Sequence, residues 1–254
     1  MLSGGNTCSA LDSLFHANNY LYFHDAINPP ARRGAEVEFL VDALDLKPEM
    51  SLLDLGCGHG RHANILATHV REVTAVDRST DFLAIAREEA RRKGLDNIYF
   101  EEKDIRNIEY VQRFDRVVLA NTIFGLFSDT ENSHLLERTK TSLRRGGRLF
   151  VDVINRDTIL TDFRPQAITQ RGEDYLLEQL SFDPATGRMS NKRVYMRMGK
   201  AMEAPFSLKL YNFSEISLLL FNAGLRIVRA YEGWSGDPFT ATSKKILLVA
   251  ERID

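Results

Sequence analysis

The residue types best suited to chemistry in this chain are concentrated in one stretch and in one later carboxylate. Residues 52–62 read Leu-Leu-Asp-Leu-Gly-Cys-Gly-His-Gly-Arg-His, a short buried strand followed by a glycine cluster. Glycines here let the backbone turn sharply from strand to helix and approach a ligand closely. Asp77 follows twenty-one residues after Gly56, at the predicted end of the next strand. In such an architecture this carboxylate accepts hydrogen bonds from both hydroxyls of a ribose, so the pattern indicates a nucleoside site.

The glycine spacing discriminates between kinds of nucleoside. Dinucleotide folds use G-x-G-x-x-G, whereas here the third glycine arrives one residue early and Arg61 takes the sixth position. Asp54, just before the loop, would repel a pyrophosphate but suits an ammonium or sulfonium group. The sequence therefore favours a positively charged nucleoside without phosphate. A nicotinamide oxidoreductase is disfavoured by this spacing and by the lack of a catalytic Tyr/Lys or His constellation.

The elements that must position these residues alternate between strand and helix. Strands are predicted at residues 51–55, 71–77, 97–101, 114–119 and 148–154, with helices between them. Two further strands, at 225–231 and 245–251, end the chain. This alternation predicts an α/β fold, a Rossmann-like, doubly wound, mostly parallel seven-stranded sheet with helices on both faces. Residues 175–183, 192–198 and 206–212 predict instead a small antiparallel β insertion.

Composition excludes several classes of protein. The chain has 254 residues, 44% of them hydrophobic, and a formal net charge of -2 from 33 Lys+Arg and 35 Asp+Glu. This is typical of a globular protein and disfavours a strongly basic nucleic-acid surface. No apolar run approaches the roughly 20 residues of a membrane span. With only two cysteines and no signal-peptide pattern, we expect a cytoplasmic protein without a membrane partner.

Taken together, these features resemble the class I S-adenosylmethionine-dependent methyltransferases, from about Tyr20 to the C-terminus. The resemblance implies S-adenosyl-L-methionine as cofactor and three regions. These are an N-terminal helical lid (1–33), a cofactor-binding core (34–154 and 212–254) and the antiparallel insertion as a substrate cover (155–211). The implied cofactor-binding residues are Tyr20, Arg32, Arg33, Asp54, Gly56, Cys57, Gly58, Gly60, Arg61, Asp77, Arg78, Ser79, Asp104, Ile105, Asn121 and Thr122.

A finer resemblance is to small-molecule N-methyltransferases. In these enzymes a tyrosine of the lid closes over the sulfonium and an arginine takes the cofactor's carboxylate; Tyr20 and Arg32 match best, with Arg33 as the alternate. Residues 124–127, Phe-Gly-Leu-Phe, are similar to a Phe-Gly-Tyr-Phe segment in which leucine replaces the tyrosine. The resemblance implies catalytic roles for Tyr20 and Phe124. It implies substrate contacts from Phe124, Tyr211, Trp234 and Phe239.

The sequence leaves open whether the atom that accepts the methyl group is nitrogen or oxygen. A small-molecule amine is preferred, since a neutral amine needs no general base and no histidine is convincingly placed as one. The alternatives are a small-molecule O-methyltransferase and a cofactor-binding protein without turnover.

Nucleic acid is disfavoured as a partner because residues 121–124 are not the Asn/Asp-Pro-Pro-aromatic tetrad of exocyclic-amine enzymes, and no Pro-Cys nucleophile exists. His59 and His62 lack a third ligand, so no metal is predicted. A monomer or a homodimer is expected.

Overall fold

The computed structural model describes residues 16–27 and 30–253, organised as two sheets with flanking helices. The helices are α1 (Ala17–Ile27), α2 (Pro30–Leu44), α3 (Ala63–Leu66), α4 (Thr80–Arg92), α5 (Asp129–Ser142), α6 (Arg156–Ile159) and α7 (Phe213–Asn222), with a 3-10 turn at Ile105–Asn107. The strands are β1 (Ser51–Leu55), β2 (Glu72–Asp77), β3 (Ile98–Glu102), β4 (Phe114–Leu119), β5 (Leu143–Ile154), β6 (Gln166–Arg171), β7 (Asp174–Asp183), β8 (Arg188–Arg197), β9 (Lys200–Glu203), β10 (Phe206–Lys209), β11 (Leu225–Tyr231) and β12 (Lys245–Arg252). The first fifteen residues of the predicted lid lie outside the described residues.

The larger sheet has seven strands in the order β11-β12-β5-β4-β1-β2-β3. Strands β3, β2, β1, β4 and β5 run parallel, and β12 pairs antiparallel with both β5 and β11. Parallel neighbours need crossovers, which the intervening helices provide. The predicted Rossmann-like α/β fold is therefore confirmed. The order also places β1 between β2 and β4, where the chain reverses its direction of travel across the sheet and ligands bind in such folds.

Helix α4 shows how local sequence fixes the elements beside this reversal point. It begins after Ser79, whose side chain accepts a hydrogen bond from the Phe82 backbone N–H. Its buried face carries Phe82, Leu83, Ala86 and Ala90, three to four residues apart. Basic residues occupy the last turn, where they complement the helix dipole. The helix is thereby held with its N-terminus at the carboxyl end of β2.

The second sheet is antiparallel, and we call strands β6 to β10 the cover sheet. Its order is β10-β8-β7-β6, with β9 paired to β8. One face packs on α1 through a small cluster that joins Phe23 to Leu176, Tyr195 and Ala204. The Tyr22 ring lies between two guanidinium groups of the cover sheet. Helix α1 is thus attached to the cover sheet.

Two strands of the cover sheet were missed by the prediction, and two predicted strand boundaries were wrong. β6 and β9 were not predicted, because their sequences are polar and mostly exposed. The strand predicted at 192–198 begins at Arg188 in the structure, and the one predicted at 206–212 ends at Lys209. Backbone pairing to neighbouring strands, rather than an alternating apolar pattern, sets these ends.

Candidate active site

A cavity opens at the carboxyl ends of β1, β2 and β4, beneath α1. It encloses about 800 Å³, a volume that includes solvent at its open mouth. Its wall comprises Tyr20, His24, Gly56, Cys57, Gly58, His59, Arg61, Asp77, Arg78, Phe82, Asp104, Ile105, Asn121, Ile123, Leu126 and Phe127. Most residues expected to bind the cofactor therefore lie around one space.

The glycine loop forms the floor of this cavity. Gly56, Gly58 and Gly60 all have positive φ, at 74°, 55° and 77°, a region that side chains disfavour. A Cβ at Gly56 would collide with Cδ1 of Ile123, so the Ile123 side chain lies directly on the glycine. A Cβ at Gly60 would stand 2.9 Å from Cβ of Ala86 on α4. The glycine loop therefore forms a cradle: all three positions favour glycine for their backbone conformation, and at Gly56 and Gly60 a side chain would also collide with a neighbour.

Asp77 is fixed at the end of β2 by backbone donors. The Gly58 N–H donates to its Oδ2 and the Ser79 N–H to its Oδ1, each at 2.8 Å. Burial raises the pKa of Asp77, and these backbone hydrogen bonds oppose that effect. Each carboxylate oxygen has a second lone pair, so the group can accept further hydrogen bonds from a diol. This is the geometry expected for a ribose-binding carboxylate.

Asp104 and Ile105 close one side of the cavity. Asp104 caps the 3-10 turn by accepting from the Arg106 backbone N–H at 2.9 Å, and its carboxylate also binds the Arg106 guanidinium. Ile105 is buried beside it. A polar oxygen next to an apolar side chain suits the edge and the face of a planar base.

Asp54 carries the most perturbed carboxyl group beside the loop. It is 4% exposed, and burial together with the nearby charge of Asp77 raises its pKa to about 7, while Arg61 acts in the opposite direction. Such a group gains most from a ligand that brings a positive charge. Its position therefore fits the ammonium or sulfonium group that the sequence pattern favours.

Aromatic rings cover the other side of the cavity. Tyr20 stacks on His24 at 4.9 Å between ring centroids and meets Phe82 edge-on at 5.5 Å. Burial raises the pKa of Tyr20 to about 12, so the phenol remains neutral at physiological pH. Aromatic faces of this kind attract a cation that enters the site.

Several predicted site residues lie away from the cavity wall. Phe124 is fully buried and stacks on Tyr211, which is also buried. Trp234 packs on Phe39 and Phe150, and Phe239 stacks on Phe213. Arg32, Arg33, Asp54, Gly60, Ser79 and Thr122 stand behind or beside the wall rather than on it.

The placement of Phe124 corrects the expected aromatic wall and has a backbone cause. Asn121 and Thr122 both adopt positive φ, at 65° and 59°. This left-handed turn directs Ile123 onto the glycine loop and turns Phe124 into the core. The wall instead carries Ile123, Leu126 and Phe127.

Sequence reasoning also missed His24, His59 and Phe82 as wall residues. Phe82 lay on the recognised apolar face of its helix, but nothing in the pattern distinguished a core position from a cavity position. His59 lies within the glycine loop itself, whereas His24 reaches the cavity only because α1 folds over the sheet. No histidine was expected to be placed as a base, and that expectation stays a prediction.

Two kinds of feature are absent from the described residues. In residues 16–27 and 30–253, no group of three or more His, Cys, Asp or Glu is arranged to hold a metal ion. Among the helices of the same ranges, none is long and apolar enough to cross a membrane.

Comparison with known proteins identifies the family. The sequence profile described as "Methyltransferase domain" matches residues 46–197. The chain belongs to this family. The matched segment contains the glycine loop, Asp77, Asp104 and most of the cover sheet. The methyltransferase fold and S-adenosylmethionine as cofactor are thereby confirmed.

Four relatives illustrate the range of the family. Cypemycin N-terminal methyltransferase from Streptomyces sp is 28% identical over 211 residues, 80% of this chain and 83% of that protein. The 23S rRNA (uracil(1939)-C(5))-methyltransferase RlmD of Xanthomonas campestris matches at 42% over only 81 residues, 30% of this chain and 18% of that protein. An S-adenosylmethionine-dependent methyltransferase structure from Clostridium acetobutylicum superposes with a TM-score of 0.80 at 17% identity, covering 94% of this chain and 98% of that one. The sugar N-methyltransferase KedS8 from Streptoalloteichus sp superposes with a TM-score of 0.67 at 17% identity, covering 92% of both chains.

Proposed function

We propose that this methyltransferase transfers a methyl group from S-adenosylmethionine to an amine nitrogen of a small molecule. The observation that carries the cofactor assignment is that Asp77, Gly56 and Gly58 line one cavity, with the buried Asp54 beside its wall. Asp77 offers acceptors for a ribose, the cradle admits a close ligand, and Asp54 favours a positive charge. The donor set therefore fits a cationic nucleoside.

In this proposal the cavity residues hold the cofactor and exclude water. Asp77 binds the ribose, Asp104 and Ile105 bind the adenine, and the glycine loop lies beneath the nucleoside. Tyr20 and Phe82 present aromatic surface to the sulfonium, an attraction on the order of 1–2 kcal/mol when desolvated. When bound, S-adenosylmethionine would supply an electrophilic methyl carbon. The acceptor lone pair attacks this carbon in line with the C–S bond, whose electron pair leaves with S-adenosylhomocysteine, and the methylated amine then releases its proton to solvent. Catalysis then comes mainly from alignment and water exclusion.

The preference for nitrogen rests on two supports. Cypemycin N-terminal methyltransferase aligns over 80% of the chain and, by its name, acts on an amine. An amine that arrives neutral also needs no general base. A second candidate, O-methylation, is favoured by one observation, since the imidazoles of His24 and His59 both lie on the cavity wall and offer a base for a hydroxyl.

The acceptor class is tested by paired substrates. The protein is incubated with S-adenosylmethionine and a panel of amines (peptide N-termini, amino sugars, glycine-type amines), each beside its hydroxyl analogue, with products identified by mass spectrometry. We expect the amines to gain methyl groups and their hydroxyl analogues to remain unchanged. Methylation of the hydroxyl members alone would favour the O-methyltransferase. Tight cofactor binding with no transfer to any member would favour a binding protein without turnover.

Tyr20 provides a second test of the same proposal. Removing the ring in Tyr20→Ala is expected to lower the transfer rate on the order of tenfold, because the cation–π attraction to the sulfonium is lost. Tyr20→Phe keeps the ring and should retain most of the activity. An equal loss of transfer rate in Tyr20→Ala and Tyr20→Phe would show that the hydroxyl group, not the aromatic face, is responsible.

The raised pKa of Asp54 predicts a pH-dependent affinity for S-adenosylhomocysteine. Because the pKa is raised to about 7, the free protein holds a proton that a ligand ammonium group expels. Affinity should therefore rise with pH and fall by up to about tenfold per pH unit below the pKa. Calorimetric titrations across this range measure the slope. Asp54→Asn should reduce this slope of affinity against pH. In the wild type, 5′-methylthioadenosine, which lacks the ammonium group, should show a smaller slope than S-adenosylhomocysteine. An unchanged slope in Asp54→Asn would contradict the assignment.

A further inference from the structure

Arg61 is a buried cation whose hydrogen bonds are concentrated on one of its three nitrogens. Its Nη2 donates to the Glu36 carboxylate and to Oδ1 of Asn121 at 3.3 Å, and it lies 3.0 Å from Nε2 of His62. Its Nε and Nη1 are buried and have no hydrogen-bond partner within residues 16–27 and 30–253. The side chain is 6% exposed and lies on the cavity wall. Unpaired donors on a buried guanidinium carry a substantial desolvation cost, which an incoming anion would remove.

Glu36 holds this guanidinium from behind. Its carboxylate is 2% exposed and binds both Arg61 and Nε2 of His62, the latter at 2.8 Å. Burial disfavours ionisation of Glu36, but the hydrogen bond from His62 and the charge of Arg61 hold its pKa below the usual range. Glu36 therefore stays ionised and fixes Nη2, which leaves the other two nitrogens for a ligand.

Arg32, which the family resemblance assigns to the cofactor's carboxylate, is placed differently. Its Nε binds the other oxygen of Glu36 at 2.9 Å, and 46% of its side chain is exposed. Neither Arg32 nor Arg33 lies on the cavity wall. Arg61 is thus the arginine of this cluster that faces the cavity.

The charges around the loop match an α-amino acid. Arg61 is close enough to Asp54 to influence its pKa, so a cation and a carboxyl group that flank the glycine loop in sequence lie near each other. The amino-acid end of S-adenosylmethionine carries an ammonium and a carboxylate on one carbon atom. A zwitterion of this kind can pair with both side chains at once.

We infer that Arg61 binds the carboxylate of the cofactor's amino-acid end, and that Glu36 is a positioning residue that orients the Arg61 guanidinium. The inference rests on the proposed function, since it assigns a part of the same cofactor. It moves the carboxylate contact from α2, where the resemblance puts it, to the residue that directly follows the glycine loop.

Two ligands that differ only in the amino-acid portion isolate this contact. S-adenosylhomocysteine carries the carboxylate, and 5′-methylthioadenosine keeps the adenosine and sulfur without it. Measured by calorimetry, the affinity of Arg61→Gln for S-adenosylhomocysteine should be about 10- to 100-fold weaker than that of the wild type. This is the range expected for the loss of a buried charge-assisted hydrogen bond. Binding of 5′-methylthioadenosine should stay near the wild-type value and reports that the site is folded. Arg91→Gln, on the exposed end of α4, is the neutral control.

The outcomes separate the inference from the proposed function. A selective loss of S-adenosylhomocysteine affinity in Arg32→Gln, with the affinity of Arg61→Gln near the wild-type value, would assign the carboxylate contact to Arg32 and overturn the inference. Equal weakening of both ligands in Arg61→Gln would show a structural role only. If the wild type binds neither ligand, the cofactor assignment itself fails.

The positioning role of Glu36 has its own pair of variants. Glu36→Gln keeps an acceptor oxygen for Arg61, whereas Glu36→Ala removes it. We expect a selective loss of S-adenosylhomocysteine affinity that is larger in Glu36→Ala than in Glu36→Gln, with 5′-methylthioadenosine little changed in both. If the ratio of the S-adenosylhomocysteine affinity to the 5′-methylthioadenosine affinity is the same in Glu36→Ala as in the wild type, Glu36 does not position Arg61.

Discussion

Replacement of Asp77 by alanine is expected to lower the affinity for S-adenosylhomocysteine on the order of 100-fold or more. The carboxylate is held by two backbone donors at 2.8 Å, so it is oriented before the ligand arrives. Its removal eliminates two charge-assisted hydrogen bonds to the ribose, each worth about 1.5–3 kcal/mol, and leaves two backbone N–H groups without their acceptor. Isothermal titration calorimetry measures the change directly.

Two further variants distinguish the ribose contact from a general effect. Asp77→Asn keeps one acceptor oxygen and should have an intermediate affinity. Asp81→Ala removes an exposed carboxylate from the first turn of the adjacent helix α4 and should bind like the wild type. If Asp77→Ala retains wild-type affinity while folded, the ribose is bound elsewhere and the orientation of the nucleoside in this cavity is wrong.

Gly60→Ala is expected to destabilise the fold by about 2–4 kcal/mol. The new Cβ would stand 2.9 Å from Cβ and 3.3 Å from Cα of Ala86, at a φ of 77°. Both the backbone conformation and the contact with α4 are unfavourable, and helix backbone cannot move away cheaply. For a chain of this size the unfolding midpoint should fall by roughly 2–4 °C per kcal/mol. Thermal unfolding followed by circular dichroism measures this shift.

Gly58→Ala is the matched control for this prediction. Gly58 shares the positive φ, at 55°, but a Cβ there meets no atom within 4 Å. Its cost should be the left-handed backbone alone, about 1–2 kcal/mol. Equal destabilisation by the two substitutions would show that contact with α4 contributes nothing and that only backbone strain matters.

The sequence predicted those parts of the site that depend on local pattern. Gly56, Gly58 and Asp77 follow parallel strands, and a parallel sheet brings such strand ends to one edge whatever the distant side chains are. Asp104 and Ile105 were implied by the family resemblance, at the end of the third strand. These residues line the cavity as expected.

The remaining wall residues depend on features that no local pattern records. Phe124 belongs to the loop that was expected to line the cavity, but two consecutive residues with left-handed backbone place Ile123 on the cavity wall in its stead. His24 enters the cavity only because α1 folds over the sheet. Glu36 was not singled out from the sequence, since its burial beside Arg61 joins residues 25 positions apart. Such placements follow from tertiary packing, which periodicity cannot supply.

The most direct test of the cofactor assignment is calorimetric binding of S-adenosylmethionine, S-adenosylhomocysteine and NAD to the wild-type protein. Asp54 should repel the pyrophosphate of NAD while favouring a cationic nucleoside. The structure predicts that both sulfur nucleosides bind with one site per chain and that NAD does not bind. Failure of both sulfur nucleosides to bind, or NAD binding as tightly as they do, would contradict the assignment of this cavity to S-adenosylmethionine.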